Sequence, residues 1–309
     1  MKIKTLFIGI AILLNMATTF AQSGFCGLSA KWVIKNDTLT ISGSGEIYNY
    51  DVPDGGPWGN YKFSTAIIEN GITSIGNFAF FHIYYLASIH IANTVTKIGR
   101  DAFALCPNIT FLNIPNSVTY IDENAFTSPK NFTGLDYKLV SIILPSKLNY
   151  MGESVFAGSE NLTSITNLNP VPLDINPNVF EDVNVKACIL KVPAGSVKAY
   201  KRAPVWKEFN IVGITVDIDE YENGRGEEQL LIYPNPNTGT CRIIIPEEFQ
   251  NERFLTLSIY NNSGKMVQEI SIDNENPEYN LKLDSKATGV YVAVLSNGKR
   301  SVRGRIVFN

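Results

Sequence analysis

The sequence predicts a mixed fold: a solenoid of short parallel strands, then a small all-β immunoglobulin-like sandwich. Three observations predict it. A motif closing on phenylalanine recurs at a period of about 23 residues. A second motif with strand spacing falls between its copies. Residues 230–309 alternate short apolar runs with turn sequences. A fixed period of 20–29 residues marks a repeat array, and closely spaced strands with regular turns mark a sandwich.

The first segment does not belong to the fold. Lys2 and Lys4 precede an apolar run from Leu6 to Leu14, and the stretch ends in Thr19-Phe20-Ala21. This is the charged, apolar and small-residue order of a secretory signal peptide. We assign residues 1–21 to it, with cleavage after Ala21. The run is short for a membrane-spanning helix, which needs about 20 apolar residues. No later segment is long and apolar enough, so no transmembrane segment is expected in the mature chain. Composition argues for a folded, core-forming protein over a disordered one, with 45% hydrophobic residues against 18% charged ones. A net charge of -3 offers no basic face for nucleic acid. Cys26, Cys106, Cys188 and Cys241 are too sparse for a disulfide framework, and no CxxC pair is present for a thiolate metal site. Buried free thiols are the simplest reading.

Five segments share the first motif: "ITSIGNFAF" (72–80), "VTKIGRDAF" (95–103), "VTYIDENAF" (118–126), "LNYMGESVF" (148–156) and "LDINPNVF" (173–180). Phe80, Phe103, Phe126, Phe156 and Phe180 close them, with one longer interval around "KNFTGLD". The second motif reads "LASIHIA" (86–92), "ITFLNIP" (109–115), "LVSIILP" (139–145), a degraded "LTSITNL" (162–168) and "ACILKVP" (187–193). Its last two apolar positions alternate around one residue, which is strand spacing, and Pro ends the strand by lacking a ladder donor. Leu and Ile spaced this way at this period predict a leucine-rich repeat solenoid of about five repeats. One repeat cannot stand alone. It buries about five large apolar side chains at ~1.5–3 kcal/mol each, while ordering costs ~1–2 kcal/mol per residue. Stacking between neighbours closes the core.

The combined pattern resembles the BspA-like leucine-rich repeats of bacterial surface proteins. "CGLSAKWVIKNDTLTISGSGEI" (26–47) resembles the β segment that precedes such arrays, and "VPAGSVKAYKRAPVWKEFNIVG" (192–213) resembles their closing cap. Ala199, Tyr200, Val205, Trp206 and Phe209 are expected to cover the last repeat. Residues 22–213 form this domain in our reading. The resemblance implies an adhesin-like function on an extracellular protein or glycan.

Residues 214–229 carry six acids against Arg225 and read as a solvated linker. Asp217, Asp219, Asn223 and Gly224 only partly fit a calcium loop, since Tyr221 stands at a ligand position.

Residues 230–309 hold seven strand-like runs: "LLIY", "TCRIII", "FLTLSIY", "KMVQEISI", "YNLKL", "VYVAVL" and "VRGRIVF". Their order resembles the C-terminal sorting domain of type IX secretion cargo. Tyr233, Pro234, Asn235 and Pro236 match its opening motif, Gly264 and Lys265 its central turn, Gly289 and Tyr291 its "GxY" strand, and Arg305 its final basic-apolar strand. The resemblance implies recognition by the type IX machinery, export across both membranes, and a secreted or cell-surface location.

No catalytic constellation emerges. His82 and His90 are the only histidines, HExxH, GxSxG and the P-loop are absent, and no cofactor or metal site is expected. Adjacent acids such as Asp122-Glu123 and Glu247-Glu248 read as solvated turn charges. The repeats suggest binding instead. Strand register turns Ser88, His90, Phe111, Asn113, Ser141, Ile143, Ser164, Thr166, Ile189 and Lys191 outward onto one surface. Phe111, Ile143 and Ile189 would form an exposed apolar strip, a mark of interaction sites. A register off by one would swap the faces. The readings are therefore a binding protein, an inert envelope spacer, or a hydrolase without a recognisable motif, with binding preferred and enzymatic activity not expected.

Overall fold

The computed structural model describes residues 21–51, 55–129, 135–214, 230, 232–233, 239–246, 249, 252, 254–261, 265–273, 278–283 and 289–308. The expected signal peptide up to Phe20, and the expected linker and calcium-like segment beyond Ile214, lie outside these residues.

The chain begins with an antiparallel meander of β1 (Gln22–Phe25), β2 (Ser29–Lys35) and β3 (Thr38–Glu46). β3 then starts two parallel stacks. Its first half pairs with β4 (Thr65–Ile68), and Gly45–Glu46 pairs with β5 (Ile72–Ile75). Each following turn adds to these stacks. β6 (Ser88–Ile91) extends the first and β7 (Lys97–Ile98) the second. After a break in strand pairing, β8 (Phe111–Asn113) resumes the first stack, while β9 (Tyr120–Ile121) continues the second. β10 (Ser141–Leu144), β12 (Ser164–Asn167), β13 (Ile189–Pro193) and β14 (Asn210–Ile214) complete the first, and β11 (Tyr150–Met151) the second. The result is a solenoid of about seven turns at a period of about 23 residues, with little helix. Most turns contribute two strands, so the first motif supplies a short strand of its own ahead of its phenylalanine.

The phenylalanines form a continuous spine. Phe80–Phe103, Phe103–Phe126, Phe126–Phe156 and Phe156–Phe180 lie 4.8, 5.2, 5.6 and 5.7 Å apart, with interplanar angles of 17°, 3°, 8° and 12°. Stacked pairs of this kind add about 0.5–1.5 kcal/mol each beyond their buried area. The backbone sets the rise. Phe80, Phe103, Phe126 and Phe156 donate their N–H groups to Ala102, Ala125, Val155 and Val179, the residue before the next phenylalanine. Two residues ahead of each, Phe78, Asp101, Asn124 and Ser154 take left-handed φ of 56°, 52°, 57° and 53°. Side chains other than Gly rarely adopt that conformation, so the turn-to-turn bonds hold it against its local cost. Gly76 is required by close approach: a Cβ there would collide with the Tyr48 carbonyl.

A solenoid leaves two open ends. Trp58 closes the first, 5.1 Å from Phe80 and edge-on to Trp32 at 6.2 Å. Trp206 and Phe209 close the second against Phe180 at 5.6 and 5.1 Å. Tyr200 and Trp206 are fully buried, and their polar tips reach the Asn169 and Leu173 carbonyls at 2.8 and 2.7 Å. The expected cap therefore forms through four of its five residues. Val205 is half-buried against the same core, and Ala199 is exposed on its short helical turn. The degraded fourth motif is still a strand. Buried Asn167 stands where other turns place Ile91, Ile114, Leu144 and Val192, and its Oδ1 accepts from the Asn169 N–H at 3.1 Å. That bond satisfies a polar atom which would otherwise destabilise the core.

The C-terminal region forms two antiparallel sheets. One orders β15 (Ile232–Tyr233), β16 (Thr240–Ile244) and β19 (Glu278–Lys282); the other orders β18 (Met266–Asp273), β17 (Phe254–Asn261), β20 (Gly289–Ser296) and β21 (Ser301–Phe308). All seven expected runs are strands. Ile243 and Leu281 from the first sheet share one core with Leu257, Ile259, Leu295 and Ile306 from the second, which makes the pair a sandwich.

Candidate contact surface

The expected outward residues fall in two register-matched columns. Phe111, Ser141, Ser164 and Ile189 are direct neighbours across β8, β10, β12 and β13; so are Asn113, Ile143, Thr166 and Lys191. Their inward neighbours Leu112, Ile142, Ile165 and Leu190 are buried in the core. Ser88 and His90 occupy the same positions on β6, paired with Thr65 and Ile67 of β4.

Outward does not mean exposed along the whole face. Ile143 is only 8% exposed and Ser88 also 8%. The expected apolar strip is thus interrupted: Ile143 lies in register between Asn113 and Thr166 and is buried, Phe111 is half-buried, and Ile189 is exposed. Strands about 4.8 Å apart crowd a branched side chain in the middle of a sheet, and the columns open toward their two ends, at Asn113 and at Ile189. His90 is likewise half-buried rather than an open surface group. Burial pushes its imidazole down to about 4, so it is neutral at pH 7. The accessible part of this face is therefore Asn113, Ile189, and the half-buried Phe111, Ser141, Ser164, Thr166 and Lys191.

Sequence reasoning missed a second row, on the β5–β7–β9–β11 stack. Ser74, Lys97, Tyr120 and Tyr150 are register partners. Tyr120 and Tyr150 stack at 4.4 Å and 14°, and Lys97 Nζ lies 4.8 Å from the Tyr120 ring centroid. The signal was one position ahead of a core aliphatic: Lys97, Tyr120 and Tyr150 directly precede Ile98, Ile121 and Met151. Strands of two residues show no alternation by which to read it.

Among the described residues of the C-terminal sandwich, the expected sorting landmarks are placed as follows. Tyr233 ends β15, in register with Arg242. The Lys265 N–H donates to Asn261 Oδ1 at 3.0 Å and its carbonyl accepts from the Asn261 N–H at 3.0 Å, closing the β17–β18 hairpin. Gly289 opens β20 with φ 115°, Tyr291 packs edge-on against Phe308 at 5.4 Å, and Arg305 lies on β21 in register with Val292. Pro234, Asn235, Pro236 and Gly264 lie outside the described residues.

All four cysteines are buried free thiols. Burial pushes Cys26, Cys106 and Cys241 up to about 12 and Cys188 to about 11, which suppresses the thiolate that metal binding or nucleophilic chemistry needs. Among the described residues no group of His, Cys, Asp and Glu could hold a metal ion.

Comparison with known proteins gives two family matches. A BspA type leucine rich repeat region matches residues 58–186 in six copies, one more than the sequence motifs alone suggest. A secretion system C-terminal sorting domain matches residues 231–309. A search of curated proteins found no match. Solved structures similar to the chain include the pneumococcal vaccine antigen PcpA, at 17% identity and TM-score 0.46 over 59% of this chain. This chain spans 42% of that antigen's length. A leucine-rich repeat protein from Eubacterium ventriosum matches at 14% identity and TM-score 0.27, covering 63% of this chain and 85% of its own. A leucine rich cell surface protein from Faecalibacterium prausnitzii matches at 19% identity and TM-score 0.22, covering 63% and 76%.

Proposed function

We propose that this chain, a BspA-type leucine rich repeat region joined to a C-terminal sorting domain of the type IX secretion system, is a secreted or cell-surface binding protein whose solenoid contacts an extracellular protein or glycan. In this reading it is not an enzyme. Residues 1–21 serve as the export leader, residues 22–213 as the binding domain, 214–229 as the linker, and 230–309 as the address read by the secretion machinery.

The observation that supports binding is the pair of register-matched columns on the β8–β10–β12–β13 face, which lines polar and apolar side chains into one continuous surface. Its two open ends, Asn113 on β8 and Ile189 with the half-buried Lys191 on β13, carry the contact. Replacing Ile189 with Ser and Asn113 with Ala should leave the melting temperature nearly unchanged and reduce saturable binding to extracellular matrix or host cell surfaces. Binding that survives both changes would assign the contact elsewhere, and no saturable binding by the unaltered protein would favour a spacer.

The address is tested separately. Deleting residues 230–309 should trap the solenoid in the periplasm. Normal arrival of the truncated chain at the surface or in the medium would defeat that assignment.

A further inference from the structure

We propose that the outer face of the β5–β7–β9–β11 stack docks a basic segment of another protein, which lays a lysine or arginine side chain on the Tyr150 ring. This goes beyond the contact surface above and uses the other stack. The row runs Ser74, Lys97, Tyr120, Tyr150 in register, so its order along the solenoid is cation, ring, ring. Lys97 occupies one side of Tyr120 at 4.8 Å, and Tyr150 occupies the other at 4.4 Å. The molecule thus supplies its own cation at one end of the stack. At the other end Tyr150 is 41% exposed and its far side turns toward the next repeat. The corresponding position there is Asp174, which is exposed and directly precedes buried Ile175, as Lys97 precedes Ile98. An aromatic ring followed by a carboxylate is a receptor for a cation, and the chain places none of its own at that position in the motif.

The surrounding charge has the same sign preference. The turns that follow these strands carry Asp101, Asp122, Glu123 and Glu153 against Arg100, which is paired with Glu123 at 2.9 Å. Desolvation first, then Glu123 and Asp122, raise the Asp101 carboxyl to about 6 despite Arg100. The Tyr120 hydroxyl is also raised, by desolvation and by Asp122 and Tyr150. A negative field beside exposed rings attracts a basic partner and repels an acidic one.

The test is the anisotropy of a fluorescein-labelled tetralysine peptide titrated with the full chain at low salt. Saturable binding is expected, weakened by added salt and absent for the fully acetylated peptide. Tyr150→Ala should lower affinity about two- to fivefold, the range of an exposed cation–ring contact. Tyr150→Phe should retain it, and Asp174→Asn should weaken it without touching the fold. If Tyr150→Ala perturbs the melting temperature, the Tyr150→Phe and Asp174→Asn pair decides. No binding, equal binding of the acetylated peptide, or indifference to both Tyr150→Ala and Asp174→Asn overturns the proposal. So does a Tyr150-dependent self-association of the chain, which would make a second copy the occupant.

Discussion

The solenoid and the C-terminal sandwich solve the same problem by opposite means. Both bury aliphatic side chains between β-strands, but their cores share no buried residue. In the solenoid every turn leans on the next, strands pair in parallel, and the core has two open ends that need Trp58 at one and Trp206 at the other. In the sandwich, strands far apart in sequence pair antiparallel, as β16 does with β19, and the two sheets cover each other. The difference teaches where each is vulnerable. A solenoid depends on its ends, because a terminal turn has one neighbour. A sandwich depends on its middle.

Four substitutions break or sharpen that contrast. The largest effect is expected from Trp206→Ala, which uncovers Phe180 and leaves a cavity beside Tyr200. It should cost about 3–5 kcal/mol and loosen the last turns first. Hydrogen exchange should show lost protection in β13 and β14 while β17 and β20 are unchanged; equal loss in both regions would mean that the two cores unfold as one. Leu257→Ala, in the sandwich centre, should cost about 2–5 kcal/mol with the reverse pattern. Gly304→Ala is smaller, about 1–3 kcal/mol. A Cβ at 304 would come within 2.5 Å of the Leu230 carbonyl, next to the 2.9 Å bond from the Leu230 N–H to Arg303. Exchange at the Leu230 amide should accelerate without collapse of the sandwich.

The smallest effect depends on pH. The folded-state carboxyl of Asp101 titrates at about 6, above its unfolded value near 3.8. The folded state therefore binds this proton more tightly, and ionisation destabilises the fold as pH rises through that window. Asp101→Asn, which tolerates the left-handed φ of 52°, should raise the melting temperature at pH 7 and leave it nearly unchanged at pH 3.5. A gain equal at both pH values would point to packing instead of charge.

Much of this architecture was legible in the residues. Alternation in "ITFLNIP" and "LVSIILP" placed Leu112 and Ile142 inward and Asn113 and Ile143 outward, and the pairing agrees. The seven C-terminal runs became seven strands because each combined strand-forming residues with flanking turns. What escaped was anything fixed between turns and not within one. Alternation gives the direction of Ile143 but not its burial, which depends on what stands beside it on neighbouring strands. The Tyr120–Tyr150 stack joins residues a whole turn apart, on strands too short to show a period. Asn167 looked like a lapse in the motif because its satisfying partner, the Asn169 N–H, is invisible to a hydropathy pattern.

The longer interval between Phe126 and Phe156 has a further consequence. Their rings stand 5.6 Å apart at 8°, within the same range as pairs separated by the ordinary period. The contour length of a turn and its pitch along the axis are therefore independent variables. Pitch is set by the phenylalanine and by its N–H bond to the residue before the next phenylalanine, while contour length can change elsewhere in the turn. Such a scaffold can acquire new loops by insertion without re-registering the turns above and below, which leaves its surface free to diversify while its spine stays constant.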